Sequence, residues 1–389
     1  MGERARLLPL LIGASGLGTF TLSLVLPFLP ALQGEFGVSY AELILTQTAF
    51  LVGLALPQLF YGAISDRIGR RPAMLLGLGL FLAGSIACYF ASSLTVLIAG
   101  RLAQAIGASG GMVLARAIVR DLYSIEKAAS SLAYITMATV VMPMASPIIG
   151  GALFDAYGWH SAFLLTIVTG VVLIAAALFG LSETHTQREA QRWRTLFSDF
   201  GQLLTTRRFL SYALPPAFGT SVYQSSLAGA PYVFFGGAGS ALELGSYFLI
   251  SSSSYILGNF FAARLIMRVG VDRLLLYGTL LPLASSAAMM AFAAFDQLTV
   301  LVFFGLLCVS NIVQGTIISG AVVAASSVIP GKIGAGAGLA GAIQFGLGAV
   351  IATIGGQAAV IGPFWFATVI ALCTVGSFTS FRLLRTRTP

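Results

Sequence analysis

The feature that most constrains this chain is a succession of apolar stretches, each long enough to cross a lipid bilayer and separated by short polar connections. Such stretches run near residues 8–32, 42–64, 73–92, 95–117, 129–153 and 161–181, and then near 209–234, 243–265, 273–294, 298–325, 334–356 and 363–384. A hydrocarbon core about 30 Å thick needs roughly 20 helical residues at about 1.5 Å each, so every stretch suffices. Composition points the same way. Of 389 residues, 57% are hydrophobic and 9% charged, against about 25% charged in a soluble domain; the mean hydropathy is +0.93. A soluble protein of this length has too little interior to hide so much apolar surface from water. The expectation is an all-α membrane protein of twelve transmembrane helices, with no soluble domain. The first stretch follows Arg4 and Arg6 in the manner of a signal peptide, but its length and the eleven stretches after it mark it as a retained span.

Charge then sets orientation. Twenty of the 21 Lys and Arg residues fall in alternate connections. These hold Arg4 and Arg6; Arg67, Arg70 and Arg71; Arg116, Arg120 and Lys127; Arg188, Arg192, Arg194, Arg207 and Arg208; Arg264, Arg268 and Arg273; Lys332; and Arg382, Arg385 and Arg387. The opposite connections carry no basic residue, but do carry Glu35, Glu42, Asp155, Glu243 and Asp296. Basic connections stay in the cytoplasm, which places both termini and the central connection there. The net charge of +8 is therefore a topological signal, and no nucleic-acid partner is expected.

Residues 182–207 form the one long polar connection and divide the chain into an N-terminal half, 1–181, and a C-terminal half, 208–389, of six spans each. The triplet Arg67-Ile68-Gly69 recurs as Arg268-Val269-Gly270, at an offset of 201 residues. Repeated halves meeting at a midplane cavity are how secondary transporters are built. Other membrane classes find less support. No paired carboxylates or His cluster lie inside a span, as an embedded enzyme would need, and no ring of charge repeats, as a channel filter would. A sensor or scaffold that binds ligand without flux is a further class. Cys88, Cys308 and Cys373 sit singly in apolar runs, which fits small packed residues rather than a disulfide or metal framework. His160 and His185 fall at span ends and read as interfacial residues.

Several motifs bear on mechanism. The connection Gly62-Ala63-Ile64-Ser65-Asp66-Arg67-Ile68-Gly69-Arg70-Arg71-Pro72 contains a Gly and an Asp that a plain basic loop does not require. Gly62 would permit close helix approach, and Asp66 can accept from a helix N-terminus or a nearby Arg. Span 4 carries Arg101-Leu102-Ala103-Gln104-Ala105-Ile106-Gly107-Ala108 and ends in Arg116-Ala117-Ile118-Val119-Arg120-Asp121. Span 5 carries Pro143 and then Ala145-Ser146-Pro147-Ile148-Ile149-Gly150-Gly151. Its prolines delete helical hydrogen bonds and its glycines remove bulk, so a bent, closely packed helix is expected. The glycines Gly334, Gly336, Gly338 and Gly341 suggest close packing of span 11, against span 2.

Together these motifs resemble the major facilitator superfamily, and within it the bicyclomycin and chloramphenicol resistance branch of proton-coupled drug exporters. The likeness covers the first half well and the second more loosely. It implies a major facilitator fold working by alternating access in the bacterial inner membrane, a multi-pass monomer with no cofactor, driven by the proton-motive force. It implies a cytoplasmic latch at Gly62, Asp66, Arg67, Gly69, Arg70, Arg71 and Arg116. It also implies an antiporter-motif helix sealed through Pro143, Pro147, Gly150 and Gly151, with Ser146 where Gly is commoner.

One departure narrows the substrate. Exporters of this branch carry an Asp just before a Leu-Pro-x-Leu-Pro run in span 1, whereas Ser23 stands there, before Leu26-Pro27-Phe28-Leu29-Pro30. None of the 13 acidic residues falls in the middle of a span. Arg101 is the one basic residue off the cytoplasmic side, and a cation inside a span is functional by default; snorkelling to the outer interface, a turn or two away, is the alternative. A neutral or weakly anionic small molecule is therefore favoured over a cation. Polar residues that would line a cavity between halves are Ser23, Gln47, Tyr223, Gln224, Tyr255, Asn311, Gln314 and Gln344, beside Arg101 and Gln104; interhelical hydrogen bonding is the alternative for each. A metabolite, organic anion or siderophore-like compound, imported or exported, is the alternative cargo.

Overall fold

A computed structural model describes residues 2–123, 125–185, 193–235, 240–329 and 332–384. Among them the chain is helical throughout, in fourteen α-helices. In the first half these are α1 (Gly2–Leu24), α2 (Leu32–Phe36), α3 (Tyr40–Ile68), α4 (Arg70–Tyr89), α5 (Leu94–Leu122), α6 (Ile125–Tyr157) and α7 (His160–Gly180). Then follow α8 (Trp193–Thr205), α9 (Arg207–Phe235), α10 (Ala241–Val269), α11 (Val271–Ala294), α12 (Val300–Ser326), α13 (Ile333–Ile361) and α14 (Pro363–Leu384). All but α2 and α8 correspond to the apolar stretches read from the sequence. By length and composition alone, eight segments among the described residues could cross a membrane.

Local chemistry sets the helix boundaries. Pro27 and Pro30 lack amide donors, so the first stretch leaves the α-helix at Leu24 and tightens into a 3-10 turn over Leu26–Ala31. Ser39 and Glu42 form a capping box at the start of α3, and Ser93 caps α5. The repeated triplet has a structural meaning. Gly69 and Gly270 take φ of +103° and +77°, a backbone region that disfavours any side chain, and each makes the same sharp turn between consecutive helices.

The helix pairings repeat as well. In the first half α5 packs on α3, α4 and α1, while α7 packs on α4 and α1. In the second half α12 packs on α10, α11 and α9, while α14 packs on α11 and α9. Across the halves, α3 lies along α13 and α6 along α10. The expected contact between spans 2 and 11 is present, since Gly338 and Gly341 face Gln58 of α3. Gly336 instead lies against Ser326, and Gly334 against nothing within 4 Å.

Helix α8 was not expected within the polar connection. Leu196, Phe200 and Leu203 form its buried stripe, packed with Ala63 of α3, Phe209 of α9 and Leu339 of α13. Lys332 Nζ pairs with Asp199 Oδ1 at 2.7 Å. Arg188, Arg192, Arg385 and Arg387 lie outside the described residues.

Candidate functional site

Arg101 sits on the first turns of α5, 2% exposed, enclosed by α1, α3 and α4. Its Nη1 donates to the Thr21 carbonyl and to Gln104 Oε1, both at 3.2 Å. Its Cζ stands 4.0 Å from the centre of the Phe50 ring, a cation–π contact worth up to about 2 kcal/mol when desolvated. Among the described residues Arg101 makes no ion pair, and its Nε has no partner. An ion buried on those terms is held at a cost of several kcal/mol. Gln104 extends the network through Nε2 to Ser85 Oγ at 2.9 Å and Thr166 Oγ1 at 3.3 Å, joining α5 to α4 and α7. Ser23, 1% exposed, lies two residues beyond Thr21 on α1.

A second polar group spans the two halves. Gln47 Nε2 on α3 donates to the Gln224 carbonyl on α9 at 3.4 Å. One helical residue on, Thr48 and Thr353 share a hydrogen bond between α3 and α13. Nearby, Tyr40 donates to the Ala228 carbonyl at 2.6 Å and stacks on Tyr232.

The other residues expected to line a cavity are committed to partners within the second half. Asn311 Nδ2 donates to Ser251 Oγ at 2.8 Å, Gln314 Nε2 to the Pro216 carbonyl at 3.2 Å, and Gln344 Nε2 to Thr220 Oγ1 at 2.7 Å. Tyr223 pairs with Ser252 Oγ at 3.1 Å. Tyr255 is half-buried on α10. These contacts tie α9 to α10, α12 and α13, and α12 to α10, as polar side chains in a bilayer are required to do.

The basic end of the bundle holds a carboxylate–guanidinium cluster. Arg70 pairs with Asp66 at 2.6 Å and with Asp121 at 3.0 Å, and also donates to Ser65 Oγ. Glu183, just past α7, accepts the backbone N–H groups of Arg70 at 2.9 Å and Arg71 at 3.3 Å. Glu183, rather than Asp66, therefore caps the N-terminus of α4. Partial burial opposes its charge, but the amides of His185, Arg70, Arg71 and Thr184 hold its carboxyl below the usual range. Arg71 Nη2 donates to the Leu178 carbonyl at 2.9 Å, Arg67 is half-buried, and a side chain at Gly69 would run into Glu183. Two of the motif residues do otherwise than expected. A Cβ at Gly62 meets nothing within 4 Å, so no helix approaches closely there. Arg116 is half-buried and joins no ion pair among the described residues.

In α6 the glycine expectation holds. A Cβ at Gly150 would collide with the Leu24 carbonyl of α1, and Gly151 beside it is buried. On the other side, Gly245 of α10 lies against Pro147 and Ile148. Ser146 is buried and folds its hydroxyl onto the Pro143 carbonyl at 3.2 Å. At the acidic end, Asp155 Oδ2 of α6 accepts from Ser240 Oγ at 3.1 Å and from the Leu242 amide at 3.4 Å, capping α10. His160 is exposed and stacks on Trp159 at the start of α7.

Glu183, Asp121, Asp155 and the Lys332–Asp199 pair carry contacts that motif reading did not assign. A Ser-Glu-Thr following an apolar run, and an acid following Arg120, were the available signals.

Comparisons with known proteins agree with this architecture. The family model described as Major Facilitator Superfamily matches residues 11–353. An uncharacterized MFS-type transporter, YdgK of Bacillus subtilis (strain 168), is 32% identical over 66% of this chain and 67% of its own length. The multidrug resistance protein MdtL of Salmonella heidelberg (strain SL476) is 28% identical over the same shares of both chains. Among solved structures, a D-xylose–proton symporter superposes with a TM-score of 0.77 at 12% identity, covering 97% of this chain and 98% of its own. A bacterial homologue of the human lysosomal transporter Spinster, inward-facing and unoccupied, gives 0.71 at 15% identity, covering 99% and 96%. This chain is a multi-pass membrane transporter, not an enzyme, and belongs to the major facilitator superfamily.

Proposed function

We propose that this transporter exports small neutral or weakly anionic drug-like compounds across the bacterial inner membrane by alternating access, coupled to the proton-motive force. In this reading twelve helices span the bilayer as two six-helix halves, 1–181 and 208–389, joined by 182–207, with both termini cytoplasmic and the protein a monomer. The repeated pairing of helices supports the two halves. The confinement of basic residues to alternate connections supports the orientation.

The observation that carries the substrate reading is Arg101, a buried cation with no acid beside it among the described residues, in a chain with no acid in mid-span. A cationic drug would meet uncompensated positive charge there, whereas a neutral molecule would not and an anion would be attracted. The similarity to a multidrug resistance protein supports drug-like cargo, and the motifs of the first half support the bicyclomycin and chloramphenicol resistance branch. The same unpaired Arg101 favours the second reading, a metabolite, organic anion or siderophore-like cargo, on the same fold. The proton carrier is then a peripheral group or the cargo itself.

The test is thermal stabilisation of the purified protein in detergent by neutral phenicols, organic anions and organic cations, with Arg101→Ala alongside. A ligand that binds only the folded state raises the melting temperature. Stabilisation by neutral compounds, weakened in Arg101→Ala, supports the exporter reading, and stabilisation by anions alone supports the second. Stabilisation by cations alone sinks the charge argument.

A further inference from the structure

Gln47 and Gln224 are 1% and 4% exposed, and the side-chain oxygen of each has no hydrogen-bond partner. The orientation of Gln47 is fixed by its surroundings, because the end that faces the Gln224 carbonyl must be the NH2. Its oxygen is therefore the end left without a partner. Gln224 lies against Gly348 of α13, where the lack of a side chain leaves room for the Gln224 stem. One of these residues belongs to each half, and they meet where α3, α9 and α13 converge.

Two buried amide acceptors without donors are a costly arrangement for a purely structural contact. Leu at either position would pack without that penalty. We infer that Gln47 and Gln224 form a substrate subsite that receives the hydroxyl donors of a neutral cargo. This rests on the exporter reading and adds to it the donor chemistry of the substrate.

The placement also links occupancy to closure. When the halves part, both oxygens reach water and are satisfied. When they close on an unoccupied site, both lose that water without replacement. A cargo offering donors to the two oxygens relieves the loss, so the closed arrangement is favoured with cargo aboard. An ammonium group could donate too, but no carboxylate in mid-span compensates its charge.

The experiment uses chloramphenicol, a neutral diol with an amide N–H, and its di-O-acetyl derivative, which has lost both hydroxyl donors. Affinity is measured by calorimetry on the full-length protein in detergent, for the wild type, Gln47→Leu, Gln224→Leu and Gln47→Glu. We expect the wild type to prefer chloramphenicol, and each Leu variant to weaken it about tenfold, the size of one lost hydrogen bond. The diacetate should bind all of these proteins alike. Gln47→Glu keeps the acceptor and, protonated so that its O–H meets the Gln224 carbonyl, should retain the preference for the diol. Without ligand, Gln224→Leu should melt no lower than the wild type, since it removes an unpaired polar atom, whereas Gln47→Leu also gives up the Nε2 bond to the Gln224 carbonyl. A Gln224→Leu variant that melts several degrees lower would make the pair structural and overturn the inference. Equal losses for diol and diacetate would overturn it too. Failure of the wild type to bind chloramphenicol would overturn this subsite and count against the exporter reading, whereas chloramphenicol binding that survives both Leu substitutions overturns the subsite alone.

Discussion

Single residues of one type take different roles here, and substitutions separate them. Gly150 faces the Leu24 carbonyl at a distance no Cβ tolerates, and the three nearest atoms are all Leu24 backbone. Gly150→Ala should therefore force α6 away from α1 and lower stability by about 1–3 kcal/mol, the usual range for overpacking. Gly62 faces open space, so Gly62→Ala should raise stability by about 0.5–1 kcal/mol through helix propensity alone. Detergent melting curves of the two variants check both signs; a destabilised Gly62→Ala would restore the close contact that the motif suggested. Sequence could not tell these glycines apart, because each is a small residue in an apolar helix and only the partner helix distinguishes them. Arg101 was legible, since a lone cation in an apolar run stands out. Its environment was not, because Thr21 and Phe50 reach it from other helices. Arg101→Met keeps the volume and removes an unpaired buried charge, so the variant should fold and melt within a few degrees of wild type, consistent with the small penalty for replacing buried ions by apolar residues. It should also lose stabilisation by neutral ligands. A variant that aggregates would assign Arg101 to folding rather than binding.

At the scale of elements, the long helices could be read from apolar length alone, whereas α8 could not. Its residues Leu196, Phe200 and Leu203 recur at helical spacing, but the Gln, Arg and Thr around them gave the segment the composition of a linker. The spacing carried the signal that composition hid. The cap on α4 was equally hidden, because Glu183 lies 113 residues from Arg70 and no local pattern joins them. Its effect is testable through pH. Backbone amides lower the Glu183 carboxyl below its usual range in the folded protein. The stabilisation is then fully present above the unfolded carboxylate value, about 4.3, and is lost as pH falls through the lower folded value. Glu183→Gln should cost about 0.5–1 kcal/mol at neutral pH, a capping contribution discounted for solvent exposure. It should also flatten the acid limb of the plot of melting temperature against pH. An acid limb identical to wild type would show that the amides do not depend on the carboxylate.

For the whole molecule, the proposed alternating-access cycle asks what holds the two six-helix halves together and what would let them part. Helices α3 and α13 touch along their length, from Ile44 against Gly356, through Thr48 with Thr353, to Gln58 against Gly341. Helices α6 and α10 meet at Gly245 and Pro147, and Asp155 reaches over to cap α10. These contacts bury few charges and are made largely by hydroxyls, glycines and one exposed carboxylate cap, so each contributes modestly and none resists separation strongly. That is the energetic profile an alternating-access protein requires, since a pair of states within a few kcal/mol can both be visited. A cross-link at the acidic end should therefore stop the cycle without disturbing the fold. The Thr48 and Thr353 hydroxyls are 2.5 Å apart, so sulfurs in their places fall within disulfide reach. In a background with Cys88, Cys308 and Cys373 replaced, Thr48→Cys with Thr353→Cys should oxidise readily and abolish substrate flux in proteoliposomes. Reduction should restore flux, and each single Cys variant should transport throughout. Full flux through the oxidised protein would mean that this contact persists through the cycle, and that the halves part elsewhere.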